Sequence, residues 1–203
     1  MSTLDTIFSR RSIKHFDPDH QMPQSDYDQL IQAAISAPTS FNIQHWRFVR
    51  ITDPKIRTAL RQAAWDQAQV TDASELMIIT GNIQAWSQKP DRYWRNTDDN
   101  KRQALVGMLT EFYQDREWLQ RDEAIRSGAM AAQNLILAAK SMGYDSCPMI
   151  GFDFDKAAEL IQLPQDHVIV MMLTIGKAIA EAWPRGGQLS LEEILIDNRF
   201  REE

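Results

Sequence analysis

The chain alternates between stretches whose apolar residues recur every three or four positions and short runs that are apolar throughout. Leu4, Ile7 and Phe8 share one face of a predicted first helix that Ser2 or Thr3 can cap. Asp17-Pro18-Asp19 and Met22-Pro23 then break regular structure. From Ser25 a second helix sets Tyr27, Leu30, Ile31, Ala34 and Ile35 along one stripe. It ends near Ala37-Pro38, because a residue before proline is pushed out of the helical region. Trp46 to Ile51 alternates apolar and polar positions like a half-buried strand, although a one-sided amphipathic helix fits so short a length as well. Asp53-Pro54 predicts a cap and first turn for a helix through Ile56, Leu60 and Ala64. Leu76 to Thr80 and Val168 to Ile175 are continuous apolar runs and read as central strands.

Further along, Ser127 to Met142 reads as a buried helix with Ala129, Ala132, Leu135, Ile136 and Ala139 on one face and Gly143 as its C-terminal cap. Asp153 or Asp155 can cap a helix through Ala158 and Ile161 that Pro164 ends, and a capped short helix is predicted from Ser190 to Ile196. Residues 82–120 are different in character: Trp86, Tyr93, Trp94, Phe112, Tyr113 and Trp118 are interleaved with acids and bases, with a helix cap around Thr97-Asp98. These aromatics are expected to anchor a helical insertion or a subunit interface; the alternative is a lid over a planar ligand. Strands separated by long helices point to an α+β or α/β sandwich.

Composition narrows the function. A length of 203 residues, 43% of them hydrophobic, suits a single domain spanning 1–203. The net charge of −6 argues against nucleic acid as a partner. One cysteine, Cys147, excludes an intramolecular disulfide and suits a reducing compartment; with proline after it and Met149 and Ile150 nearby, it reads as a buried structural thiol. No signal core and no run long enough to span a membrane is seen, so a soluble cytoplasmic protein is expected, with no membrane partner. There is no Gly-x-Gly-x-x-Gly, no phosphate loop ending in Gly-Lys-Ser/Thr and no Gly-x-Ser-x-Gly elbow. His15, His20, His45 and His167 lack metal-ligand spacing with one another or with Cys147, so no metal is expected.

Against that background one local cluster stands out. Arg10-Arg11-Ser12-Ile13-Lys14 gathers three cations and a hydroxyl at the end of the first helix. Such a set can surround a phosphate dianion with charge-assisted hydrogen bonds, although cations at a helix C-terminus also favour the macrodipole without any ligand. Downstream come the polar loop Pro38-Thr39-Ser40-Phe41-Asn42-Ile43-Gln44-His45-Trp46, a second such loop from Cys147 to Asp153, and Arg185 in a Pro/Gly-containing tail. Arg-Arg-Ser-x-Lys, then Pro-Thr-Ser-x-Asn-x-Gln-x-Trp, then Pro-x-x-Gly-Phe-Asp, in this order, resembles the nitroreductase family of FMN enzymes over nearly the whole chain.

That resemblance implies an α+β fold with a mainly antiparallel sheet flanked by helices, and a C-terminal extension over about 183–203 that is exchanged within a homodimer. It implies FMN, with Arg10, Ser12 and Arg185 on its phosphate, Arg11 adding contacts there, and Lys14 reaching the N1/O2 edge. Pro38, Thr39, Ser40, Asn42 and Gln44 would approach from the partner subunit. Ile150 and Gly151, in the motif opened by Pro148, would offer backbone amides near N5, and Gln69 would meet the ring. Where many relatives carry Asn and Lys in that last region, this chain has Asp66 and Gln69. The implied activity is ping-pong electron transfer from NADH or NADPH to a small electron-poor acceptor such as a nitroaromatic or quinone. No side chain is expected to react covalently, since the hydride chemistry would belong to the flavin. A same-scaffold enzyme that uses oxygen on a specific substrate, and a flavin-storing protein without turnover, are the alternatives.

Overall fold

The computed structural model describes residues 2–200; positions 201–203 of the expected C-terminal extension lie outside the described residues. The chain opens with α1 (Thr3–Ser9), α2 (Gln24–Ile35), β1 (Trp46–Arg50), α3 (Pro54–Ala63), α4 (Gln69–Asp72) and β2 (Glu75–Asn82). It continues with α5 (Asp99–Tyr113), α6 (Glu117–Ser141), β3 (Asp145–Met149), α7 (Phe154–Leu160), β4 (His167–Gly176) and α8 (Leu191–Ile194). Short 3₁₀ turns occupy Ser40–Asn42 and Pro90–Trp94. The caps follow the sequence signals: Ser2 forms a reciprocal capping box with Asp5, Asp53 caps α3 ahead of Pro54, and Asp98, Asp153 and Ser190 cap α5, α7 and α8.

The sheet order is β1-β2-β4-β3, and every pairing is antiparallel. The apolar run of β2 explains the layering, because successive side chains point to opposite faces. Met77 and Ile79 pack with Leu30 of α2 and Leu135 of α6 on one side. Leu76 and Ile78 pack with Leu60 of α3 and Phe152 and Ala157 on the other. All four β2 residues are fully buried, at about 1.5–3 kcal/mol each. Gly81 lets α6 approach this sheet: a Cβ there would lie 2.8 Å from the carbonyl oxygen of Ala124. Among the described residues no helix is long and apolar enough to cross a membrane.

Two elements differ from the sequence reading. Residues 147–149, expected in a loop, belong to β3, and the loop starts only at Ile150. Pro148 disguises the strand, yet β3 is an edge strand, where a missing N–H is tolerated. Helix α6 also begins ten residues before the predicted Ser127. Its first turns bury Gln120 and Glu123 while exposing Trp118, so their periodicity is not apolar.

Candidate functional site

Helix α1 hands the chain to a segment that runs along the outer edge of β3. Ser12 lies beside Ser146 in a parallel bridge, and the Ile13 N–H donates to the Ser146 carbonyl at 3.0 Å. Burial of Ile13 and Phe16 fastens this segment to the body. Alternation then leaves Ser12 and Lys14 on the opposite side from Ile13. Arg10, Arg11, Ser12 and Lys14 line a cavity of about 310 Å³ whose other wall is the tail from Trp183 to Gln188, including Arg185. Arg11 donates to the Trp183 carbonyl, and Arg185 Nη2 donates to the Phe8 carbonyl at 2.8 Å, which ties the tail to the end of α1. Arg10, Arg11, Lys14 and Arg185 form no ion pair with any carboxylate among the described residues. Four cations without internal counter-charge around one cavity are electrostatically suited to an anion.

At the Lys14 end a line of amides continues the site. Lys14 Nζ lies 3.4 Å from Gln67 Oε1, and Gln67 Nε2 donates to the Gly151 carbonyl at 2.8 Å. Gln69 stands behind it: its side chain is buried and donates to Gln67 Oε1 at 2.9 Å. Gln67 is therefore the amide facing Lys14. The turn that carries it is unusual, with Trp65 and Asp66 both in the left-handed region at φ 52° and 57°. It leaves Trp65 exposed, 3.5 Å from where a Cβ on Gly151 would lie, and Ile150 is exposed beside it. Pro148 itself is held in β3. Cys147 is buried under this region; burial raises its thiol pKa although Lys14 and Arg10 oppose the shift.

The other polar loop does not line this cavity. Phe41, Asn42 and Gln44 all have left-handed backbones, at φ 51°, 54° and 55°. Such residues cost on the order of 1–3 kcal/mol each and persist where their surroundings over-determine them. Here the surroundings are visible. Thr39 Oγ1 accepts from the Gln44 N–H at 3.1 Å, and Gln44 Nε2 donates to the Asn42 carbonyl at 3.1 Å. Asn42 Nδ2 donates to the Tyr93 carbonyl at 2.7 Å, and Tyr113 OH donates to Ser40 Oγ at 2.8 Å. The Phe41 ring packs among Trp94, Phe112 and Tyr113. Tyr93 and Tyr113 are thus buried anchors of the segment that braces the loop, while Trp118 stays exposed. Pro38 is exposed at the entrance of the loop.

Behind the loop, His45 Nδ1 lies 3.1 Å from Ser127 Oγ, which in turn is 3.4 Å from Glu123 Oε1. All three side chains are buried. Burial, and then the charge of Arg47, pushes the His45 pKa down to about 4 and keeps the ring neutral at pH 7. Buried from solvent, these three side chains brace the start of β1 against α6.

A family model described as "Nitroreductase family" matches residues 7–177. The chain belongs to the nitroreductase family. It is 53% identical over 182 residues to Protein DrgA of Synechocystis sp., covering 90% of this chain and 87% of DrgA. MhqN of Bacillus subtilis, which carries the name NAD(P)H nitroreductase, is 33% identical over 196 residues, 93% of this chain and 95% of MhqN. A structure from Exiguobacterium sibiricum in complex with FMN superimposes with a TM-score of 0.88 at 25% identity, covering 97% of each chain. This nitroreductase-family chain is accordingly an oxidoreductase with the family's α+β fold.

Proposed function

We propose that the chain is an FMN-dependent oxidoreductase that takes electrons from NADH or NADPH and delivers them, by ping-pong, to a small electron-poor acceptor such as a nitroaromatic or quinone. The observation that carries this reading is the cavity lined by Arg10, Arg11, Lys14 and Arg185 without a carboxylate partner, continued by the Gln67 amide to Gly151. These residues fit FMN. Arg10, Arg185 and Ser12 supply donors for its phosphate, and Arg11 holds the tail that completes the wall. Lys14 would sit at the N1/O2 edge, with Gln67 orienting its ammonium group and Gln69 steadying Gln67 from behind. Ile150 and Gly151 would lie at N5, where a glycine permits close approach. When bound, FMN supplies the two-electron carrier; the protein binds it, orients it and sets the charge around it.

The site is completed in a homodimer, in which the loop carrying Pro38, Thr39, Ser40, Asn42 and Gln44 reaches the flavin of the other subunit. Support comes from apolar surface that one subunit leaves uncovered: Leu4 and Phe8 on α1, and Trp183, Leu191, Leu195 and Phe200 in the extension, are all more than half exposed. Initial rates with donor and acceptor varied together test the cycle. Parallel double-reciprocal lines are expected, and lines that intersect would exclude ping-pong.

A further inference from the structure

A second group of unpaired cations lies beside the strained loop. Arg47, Arg92 and Arg95 line a pocket of about 240 Å³ together with Ile43, Gln44 and Tyr93. None of the three forms an ion pair with a carboxylate among the described residues. The carboxylate whose field reaches Arg47 is Asp166, and its oxygens are already engaged by Gln88 Nε2 at 2.8 Å and His167 Nδ1 at 2.7 Å. On a chain of net charge −6, three arginines around one small pocket form a local exception.

Their placement is built rather than incidental. Arg47 Nη1 donates to the carbonyls of Gln44 at 3.1 Å and Trp46 at 2.7 Å, which fixes its guanidinium against the loop. Arg92 sits over the Tyr93 ring at 5.0 Å and donates to the Tyr93 hydroxyl at 3.0 Å. Tyr93 is itself buried and donates to the Ala85 carbonyl at 2.6 Å. Lys89, left-handed at φ 52°, and Pro90 open the 3₁₀ turn that presents Arg92 and, one residue beyond it, Arg95. Partial burial, and then the positive charge of Arg92, lowers the Arg47 pKa, and the fields of Tyr93 and Asp166 offset that only in part.

We infer that Arg47, Arg92 and Arg95 form a subsite for a phosphomonoester dianion, the 2′-phosphate of the nicotinamide donor, and so select NADPH over NADH. This rests on the proposed function, because Gln44 belongs both to this pocket and to the loop assigned to the flavin. A phosphomonoester carries close to two negative charges at neutral pH and three acceptor oxygens, which matches a ring of guanidinium donors. NADH presents a neutral 2′-hydroxyl at the same place and would leave the arginines unanswered.

Calorimetric titration of the full-length protein with adenosine 2′,5′-bisphosphate and with adenosine 5′-monophosphate tests this without relying on turnover. The bisphosphate is expected to bind at least tenfold more tightly. Arg92→Ala and Arg95→Ala should each remove about tenfold of that preference; Arg95 is exposed, so its replacement leaves the core intact. Equal affinity for the two nucleotides, or a bisphosphate preference that survives both substitutions, overturns the subsite. Visible spectra of the same samples report flavin separately: a colourless protein that still discriminates the nucleotides would count against the FMN reading and leave the subsite standing.

Discussion

Tyr113→Phe removes one hydroxyl and little else, and the structure says what that hydroxyl does. It donates to Ser40 Oγ at 2.8 Å from a side chain that is fully buried, at the centre of a loop with left-handed residues at positions 41, 42 and 44. A neutral hydrogen bond of this kind contributes about 1 kcal/mol net. For a chain of this size that corresponds to a fall in Tm of about 2–4 °C. The ring contacts with Phe41, Trp86 and Phe112 remain, so no cavity is added. Thermal denaturation of the wild type, Tyr113→Phe, Ser40→Ala and the double variant closes a thermodynamic cycle. The expected coupling is about 0.5–1.5 kcal/mol, and the double variant should be little worse than either single one. Loss of the bond should also let the loop relax, so FMN is expected to dissociate about fivefold faster from Tyr113→Phe. Strict additivity together with unchanged FMN release would refute the idea that the α5 segment holds the loop in its strained form.

Three further outcomes follow from the same geometry. Arg10→Ala should weaken FMN binding about tenfold or more through loss of a charge-assisted hydrogen bond, as measured by fluorescence titration of the apoprotein; unchanged affinity would remove Arg10 from the phosphate site. Lys14→Ala should lower the midpoint potential of the bound flavin in a redox titration, because a cation at the N1/O2 edge favours the charge gained on reduction, and an unaltered potential would rule out that position. His45 is held down at about 4 against an ordinary 6.5, so the unfolded chain binds the extra proton first. Stability should therefore rise with pH between about 4 and 6.5, by about 3 kcal/mol in all from this group, and His45→Gln should flatten that part of a denaturation profile.

Much of this architecture is legible where a local signal and the tertiary environment agree. Ser2, Asp53, Asp98 and Ser190 cap the helices they announce, and the apolar run in β2 becomes a strand buried on both faces. Legibility fails where a residue serves a non-local purpose. Pro148 reads as a breaker until β3 is seen to be an edge strand. Gln120, Glu123 and Ser127 turn polar side chains inward, which hides the first half of α6. Arg10, Arg11, Ser12 and Lys14 were visible as a cluster because they are consecutive or nearly so, and Arg185 joins them through the tail. Gln67 gains its place from the left-handed turn at Trp65 and Asp66, and propensity disfavours that backbone for a bulky residue such as Trp65. Arg47 and the Arg92–Arg95 pair are far apart in sequence, so only the packing of the Pro90–Trp94 turn against the Ser40–Asn42 turn brings them into one pocket.

The proposed function requires that this chain carry FMN and pass electrons through it. Its most direct test is the visible spectrum of the purified protein under anaerobic conditions, followed through addition of NADPH or NADH and then of a nitroaromatic or quinone. A flavin spectrum that bleaches with the nicotinamide and returns with the acceptor is expected. A protein that stays colourless after incubation with FMN, or a bound flavin that neither nicotinamide bleaches, would contradict the proposed function.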